Sequence, residues 1–120
     1  MNVLIVDDSR AMRMIVRRTL RQAGFENFKV TEAANGRDAL SKIQQSKPDL
    51  ILSDWNMPEM DGMGLLRTLR HNKVYIRFGF VTAQGSPAMR EKARNAGANF
   101  LISKPFTPET FSDVLGHFIS

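Results

Sequence analysis

Five short, strand-like runs limit most strongly what this chain can fold into. They are Val3-Leu4-Ile5-Val6, the stretch Phe28 to Ala33, Leu50-Ile51-Leu52, the stretch Tyr75 to Val81, and Phe100-Leu101-Ile102. Most are continuously apolar rather than alternating, which suits strands buried on both faces of a parallel sheet. Helical signals fill the gaps between them. Asp8 or Ser9 can cap a first helix, which Gly24 ends. Asn35-Gly36 turns into a helix over roughly 37–46, stopped by Lys47-Pro48, and a Pro-Gly-rich loop from Asn56 to Gly62 leads to another over roughly 63–71. Gly85-Ser86-Pro87 starts a fourth helix with Ser86 as cap and Pro87 in the first turn, and Gly97 ends it. Thr107-Pro108-Glu109 starts a last helix whose Phe111, Val114, Leu115 and Phe118 recur at helical spacing. The repeating unit is strand then helix, with connections too short for anything but right-handed crossovers. The expected fold class is α/β, a doubly wound five-stranded parallel sheet, (βα)5, covered by helices on both faces.

Length and composition narrow the function classes. At 120 residues the chain suits one domain, 1–120, around one core. It has no cysteine, which removes disulfides, thiolate metal sites and cysteine nucleophiles together. No apolar run approaches the ~18 residues of a membrane span. The opening Met1-Asn2-Val3-Leu4-Ile5-Val6 has neither a basic leader nor a small-residue cleavage site. A cytoplasmic protein without membrane insertion is expected. The net charge of +5 is spread along the chain except for Arg10, Arg13, Arg17, Arg18 and Arg21. At about 100° per residue, Arg10, Arg13, Arg17 and Arg21 share one helical face, and Met12, Ile15, Val16, Leu20 and Ala23 share the other. That stripe is either a solvated face or a docking surface for an acidic partner. No aromatic residue interleaves with it, so direct nucleic-acid binding is not expected.

In open parallel sheets, ligands bind beyond the carboxyl ends of the strands. Here those ends carry Asp7 and Asp8 after the first strand, Asp54 after the third, Thr82 after the fourth and Lys104 after the fifth. Each alone has a structural explanation as a cap, a turn residue or a surface charge. Together they bring three carboxylates, a hydroxyl and an ammonium to one edge. Clustered carboxylates repel, and one of them would be forced to protonate unless a cation intervenes. Oxygen-only ligands favour a hard ion, Mg²⁺. With histidine only at positions 71 and 117, a transition-metal site is not expected. Such a site suits phosphoryl transfer, which needs positioning and positive charge more than covalent chemistry. The carboxylate of Asp54 is a competent nucleophile, giving a labile acyl phosphate.

The motifs Val6-Asp7-Asp8-Ser9-Arg10, Ser53-Asp54-Trp55-Asn56-Met57-Pro58-Glu59-Met60-Asp61-Gly62, Val81-Thr82-Ala83 and Lys104-Pro105-Phe106 stand in order on those strand ends. By them the sequence resembles the two-component response-regulator receiver domains, and in Trp55 and Asn56 the CheY-like single-domain type. The resemblance covers essentially the whole chain. It implies the flavodoxin-like strand order 2-1-3-4-5 and a phosphoacceptor protein, not a conventional enzyme, that assists its own phosphorylation and slow dephosphorylation. It implies Asp54 as phosphoacceptor, and Mg²⁺ held by Asp7, Asp8, Asp54 and the backbone carbonyl of Asn56. Thr82 and Lys104 would contact the phosphoryl group, and the Lys104–Pro105 bond would be cis. A histidine kinase or phosphotransfer protein would be the donor. The arginine stripe, with Arg10, Arg13 and Arg17, is the candidate surface for docking that kinase, because the first helix flanks the acidic pocket. A monomer is expected, with output through the surface of the fourth helix, fifth strand and fifth helix, possibly in chemotaxis signalling. One position departs from the family: the aromatic residue usual three places before the lysine is Leu101 here. Phe100 beside it should point to the opposite face of the strand.

Three other readings compete. A haloacid-dehalogenase-like phosphatase needs Asp-x-Asp after the first strand, whereas Asp7 and Asp8 are adjacent. A mononucleotide binder of the same topology needs a small-residue phosphate loop there, and two carboxylates would repel the phosphate. An interaction module or phosphate sink without phosphorylation-dependent output is the third, and Leu101 is the reason to carry it.

Overall fold

The computed structural model describes residues 1–118. Strands β1 (Asn2–Val6), β2 (Lys29–Ala33), β3 (Leu50–Ser53), β4 (Arg77–Thr82) and β5 (Phe100–Ser103) alternate with helices α1 (Arg10–Gln22), α2 (Gly36–Gln45), α3 (Gly62–His71), α4 (Pro87–Asn95) and α5 (Pro108–Leu115). All four strand pairings are parallel, in the order β2-β1-β3-β4-β5. The alternation along each strand divides the core in two. Leu4, Val6, Ile51, Phe78, Phe80 and Leu101 point to the face covered by α2, α3 and α4. Val3, Ile5, Leu50, Leu52, Val81 and Ile102 point to the face covered by α1 and α5, with Val16, Leu20, Phe111 and Leu115.

Local chemistry sets the helix starts. The side chains of Ser9, Asn35, Asp61, Ser86 and Thr107 each accept the N–H three residues on, satisfying donors that the first turn leaves free. Ser9, not Asp8, caps α1, and this leaves the Asp8 carboxylate out of the helix start. Gly24 and Gly97, with φ of +100° and +106°, follow the ends of α1 and α4 in a conformation that side chains disfavour. Gly79 answers a different need. A Cβ there would lie 2.0 Å from Cε1 of Phe100, so the bare backbone of β4 is the seat of that ring.

Several boundaries differ from the sequence reading. Phe28 lies outside β2 and stacks on Phe25 with ring centroids 5.4 Å apart. Tyr75 lies before β4 and is 71% exposed. Phe118 falls beyond the end of α5 and packs its ring on Phe100, 5.2 Å away. Ile15, assigned to the core face of α1, is exposed, and Thr19 takes its place in the buried stripe. Thr19 is admissible there because its hydroxyl donates to the Ile15 carbonyl at 2.7 Å. Among the described residues, no helix is long and apolar enough to cross a membrane.

Candidate functional site

The carboxyl ends of β1 and β3 are neighbours in the sheet, with Val6 opposite Ser53, so Asp7 and Asp54 leave it side by side. Backbone bonds fix both departures: Asp7 N–H donates to Ala33 O at 3.1 Å, and Asp54 N–H to Val6 O at 2.9 Å. Carboxylate oxygens of Asp7, Asp8 and Asp54 lie within 4.8 Å of one another. Asp7 is buried, Asp54 half-buried and Asp8 exposed, so the cluster opens to solvent on one side. Lys104 reaches over from β5. Its Nζ is 3.3 Å from Asp7 Oδ2 and 3.3 Å from Asp54 Oδ2. One ammonium thus bridges two carboxylates that two different strands deliver.

The other oxygens of these carboxylates are held from the backbone. Ser9 N–H donates to Asp7 Oδ1 at 2.8 Å, and Trp55 N–H to Asp54 Oδ1 at 2.7 Å. Trp55 is itself fixed by stacking on Phe80, with centroids 4.6 Å apart. The helix that follows is pressed onto the same segment. A Cβ at Gly62 would come within 2.1 Å of Asp54 O, and Gly62 N–H donates to Trp55 O at 2.8 Å.

Burial pushes the Asp7 carboxyl above the ordinary carboxylate range. The Ser9 N–H and Lys104 oppose that shift, and the charge of Asp54 adds to it. Desolvation therefore outweighs the mutual repulsion that the sequence alone brings forward. A divalent cation would offset both costs. The donor set fits one: oxygens only, two from adjacent residues and one from the next strand, with an open side for water.

Of the residues named from sequence, the structure joins Asp7, Asp8, Asp54 and Lys104. Asn56 follows at the exposed start of the loop between β3 and α3. Thr82 ends β4 and is buried; its Oγ1 accepts the Gln84 N–H at 3.3 Å. The Lys104–Pro105 peptide is cis. Leu101 lies apart from the acidic cluster, buried among Phe78, Phe80 and Ala93, and Phe100 points to the opposite face. A cavity of about 180 Å³ adjoins Leu101, lined by Arg90, Ala93, Arg94 and Ala98 among others. Arg90 crosses its rim, donating from Nε to Gly85 O at 3.0 Å and from Nη1 to Leu101 O at 2.9 Å.

The arginine stripe of α1 is divided. Arg10 is exposed. Arg17 leans on β2, with a bond of 3.2 Å to Val30 O and 3.9 Å to the Glu32 carboxylate. Arg13 turns inward, donating from Nε to Glu32 Oε1 at 2.8 Å and from Nη1 to Asp7 O at 2.6 Å. Arg13 is therefore no part of a free docking face. Helical spacing identifies its side of the helix but not its reach, and no motif marks it.

The chain is similar in sequence and fold to known proteins. The family model described as response regulator receiver domain matches residues 3–115. The chemotaxis protein CheY1 of Helicobacter pylori is 37% identical over 118 residues, covering 96% of this chain and 94% of that protein. A probable chemotaxis protein CheY of Rhizobium etli is 38% identical over 109 residues, covering 89% of this chain and 83% of that protein. The solved structure of the chemotaxis response regulator CheY4 of Vibrio cholerae superposes with a TM-score of 0.85 at 37% identity, covering 98% of each chain.

Proposed function

The chain belongs to the response regulator receiver domain family, and from that premise we propose that Asp54 accepts a phosphoryl group from a histidine kinase or phosphotransfer protein. The observation that carries this reading is the single ammonium of Lys104 placed 3.3 Å from both Asp7 and Asp54 at the mouth of the carboxylate cluster. Magnesium, when bound by Asp7, Asp8, Asp54 and the Asn56 carbonyl, supplies positive charge for a phosphoryl oxygen and relieves the repulsion among the carboxylates.

The remaining work falls to the chain. Trp55 N–H holds Oδ1 of Asp54 and Lys104 holds Oδ2, which fixes the carboxylate against rotation. The bond that forms joins an Asp54 oxygen to phosphorus, and the bond that breaks joins phosphorus to the donor. Lys104 meets a second phosphoryl oxygen. Thr82 already accepts a bond at Oγ1 from Gln84, which leaves its hydroxyl proton to donate to a third. In line with relatives named as chemotaxis proteins, the phosphorylated monomer acts in a cytoplasmic signalling pathway of that kind. Its output surface is formed by α4, β5 and α5. Docking of the kinase on α1 then centres on Arg10, the exposed member of the predicted set.

Intact-mass measurement after incubation with Mg²⁺ and acetyl phosphate tests the chemistry. The expected result is a gain of one phosphoryl group, lost in Asp54→Asn and on chelation. A folded wild-type chain that stays unmodified overturns it. A second reading, a phosphate sink without output, is favoured by one observation: the aliphatic Leu101 in place of the family's aromatic residue. Phosphorylation that leaves the amide exchange of α4 and β5 unchanged would decide for it.

A further inference from the structure

Arg13 contributes a second cation to the edge of the acidic site, one that touches no carboxylate in it. Its guanidinium, at the end of a side chain 15% exposed, spans from the Glu32 carboxylate on the outer strand β2 to the backbone carbonyl of Asp7. That carbonyl belongs to the peptide group joining Asp7 to Asp8. A bond to that oxygen restricts ψ of Asp7 and φ of Asp8, the two torsions that set how the two side chains are disposed to each other. Every other polar group of Asp7 is already engaged: its N–H with Ala33 O, Oδ1 with Ser9 N–H, and Oδ2 with Lys104. Ser9, Ala33 and Lys104 thus hold the carboxylate and the amide, and Arg13 holds the remaining corner.

We infer that Arg13 is a positioning residue of the metal and phosphoryl site, setting the Asp7–Asp8 peptide so that the two carboxylates converge with Asp54, with Glu32 as its anchor on β2. The inference rests on the proposed reading of Asp7, Asp8 and Asp54 as a magnesium site. It differs from kinase docking in placing the effect of Arg13 in the isolated protein. A planar fork suits the task, since one guanidinium donates in two directions at fixed separation, which a lysine ammonium on a flexible stem reproduces poorly. Groups that orient metal ligands from behind change metal affinity by roughly 10- to 100-fold when removed.

Mg²⁺ titration of the full chain, by calorimetry and by the fluorescence of Trp55, tests this, with urea unfolding of each variant in chelator run alongside. Arg13→Gln is expected to weaken Mg²⁺ binding about tenfold, at the lower end of that range. Arg13→Lys, which keeps the charge and guards against loss of fold in Arg13→Gln, is expected to lie between it and wild type. Glu32→Gln, which leaves a neutral acceptor for the guanidinium, is expected to weaken binding by a smaller factor than Arg13→Gln. Lys42→Gln removes a cation that bonds the carbonyl of the same Glu32 without reaching Asp7, and is expected to bind Mg²⁺ as wild type does. Wild-type affinity in both Arg13 variants, with wild type itself binding, overturns the inference alone. No Mg²⁺ binding by wild type overturns the proposed site and the inference with it.

Discussion

Two arginines flank the acidic edge, and they are held in opposite ways. On the β1–β2 side Arg13 is largely buried, paired with the Glu32 carboxylate and bonded to Asp7 O. On the β4–β5 side Arg90 is exposed and, among the described residues, bonds only neutral carbonyls, those of Gly85 and Leu101. A guanidinium with a carboxylate partner and little water around it is costly to move. One that exchanges two carbonyls for water loses little. The first flank is therefore a fixed wall and the second an adjustable one. The adjustable wall lies where the loop after Thr82 meets β5, on the side of the proposed output surface.

The largest expected effect tests whether the fixed wall serves a cation. At about one hundred times its dissociation constant, Mg²⁺ should raise the free energy of unfolding by ~2.7 kcal/mol. Asp8→Asn should lose most of that gain in urea titrations with and without chelator. Next comes the comparison itself. Arg13→Ala should cost about 2 kcal/mol of stability, the scale of hydrogen bonds to charged groups, whereas Arg90→Ala should cost under about 1 kcal/mol. Equal losses would remove the distinction between the two walls.

A smaller effect follows from the raised pKa of Asp7 in chelator-treated protein. The unfolded chain releases this proton near the ordinary value of 3.8, and the folded chain does so only at higher pH. Between those points the unfolded state binds fewer protons, so stability falls as pH rises and is level above. Asp7→Asn should abolish that fall and leave the metal-free protein more stable than wild type at neutral pH. Thermal unfolding across pH 3 to 7 checks the sign. The smallest effect concerns the adjustable wall: Leu101→Phe should change stability by less than about 1 kcal/mol, because a cavity of about 180 Å³ adjoins that side chain. Urea unfolding of that variant is the measurement.

The sheet was legible because buried parallel strands need continuous apolar runs, and Val3–Val6 and Leu50–Leu52 satisfy that need without tertiary help. Edge elements were less so. β2 alternates between exposed and half-buried positions, so its start could not be separated from Phe28, whose ring belongs to a loop stack. The four charged groups of the site were legible because each stands directly after a strand, where the direction of the backbone settles the place of the side chain. Arg13 was not, since a long side chain on a helix has several rotatable bonds and its target is a backbone carbonyl. Carbonyls are chemically identical along the chain, and only the folded structure tells one from another. Ile15 escaped for a related reason: it lies at the margin of the apolar stripe of α1, where helical phase alone does not separate covered from exposed positions.

The seat of Phe100 on Gly79 carries a consequence for how sequences of this type can drift. The ring occupies the volume that any Cβ at position 79 would need. The two positions therefore change as a pair: a side chain at 79 is admissible only after the one at 100 has shrunk. A chain holding Phe at 100 keeps its glycine, and a homologue that has gained bulk in the fourth strand should show a small residue at the start of the fifth.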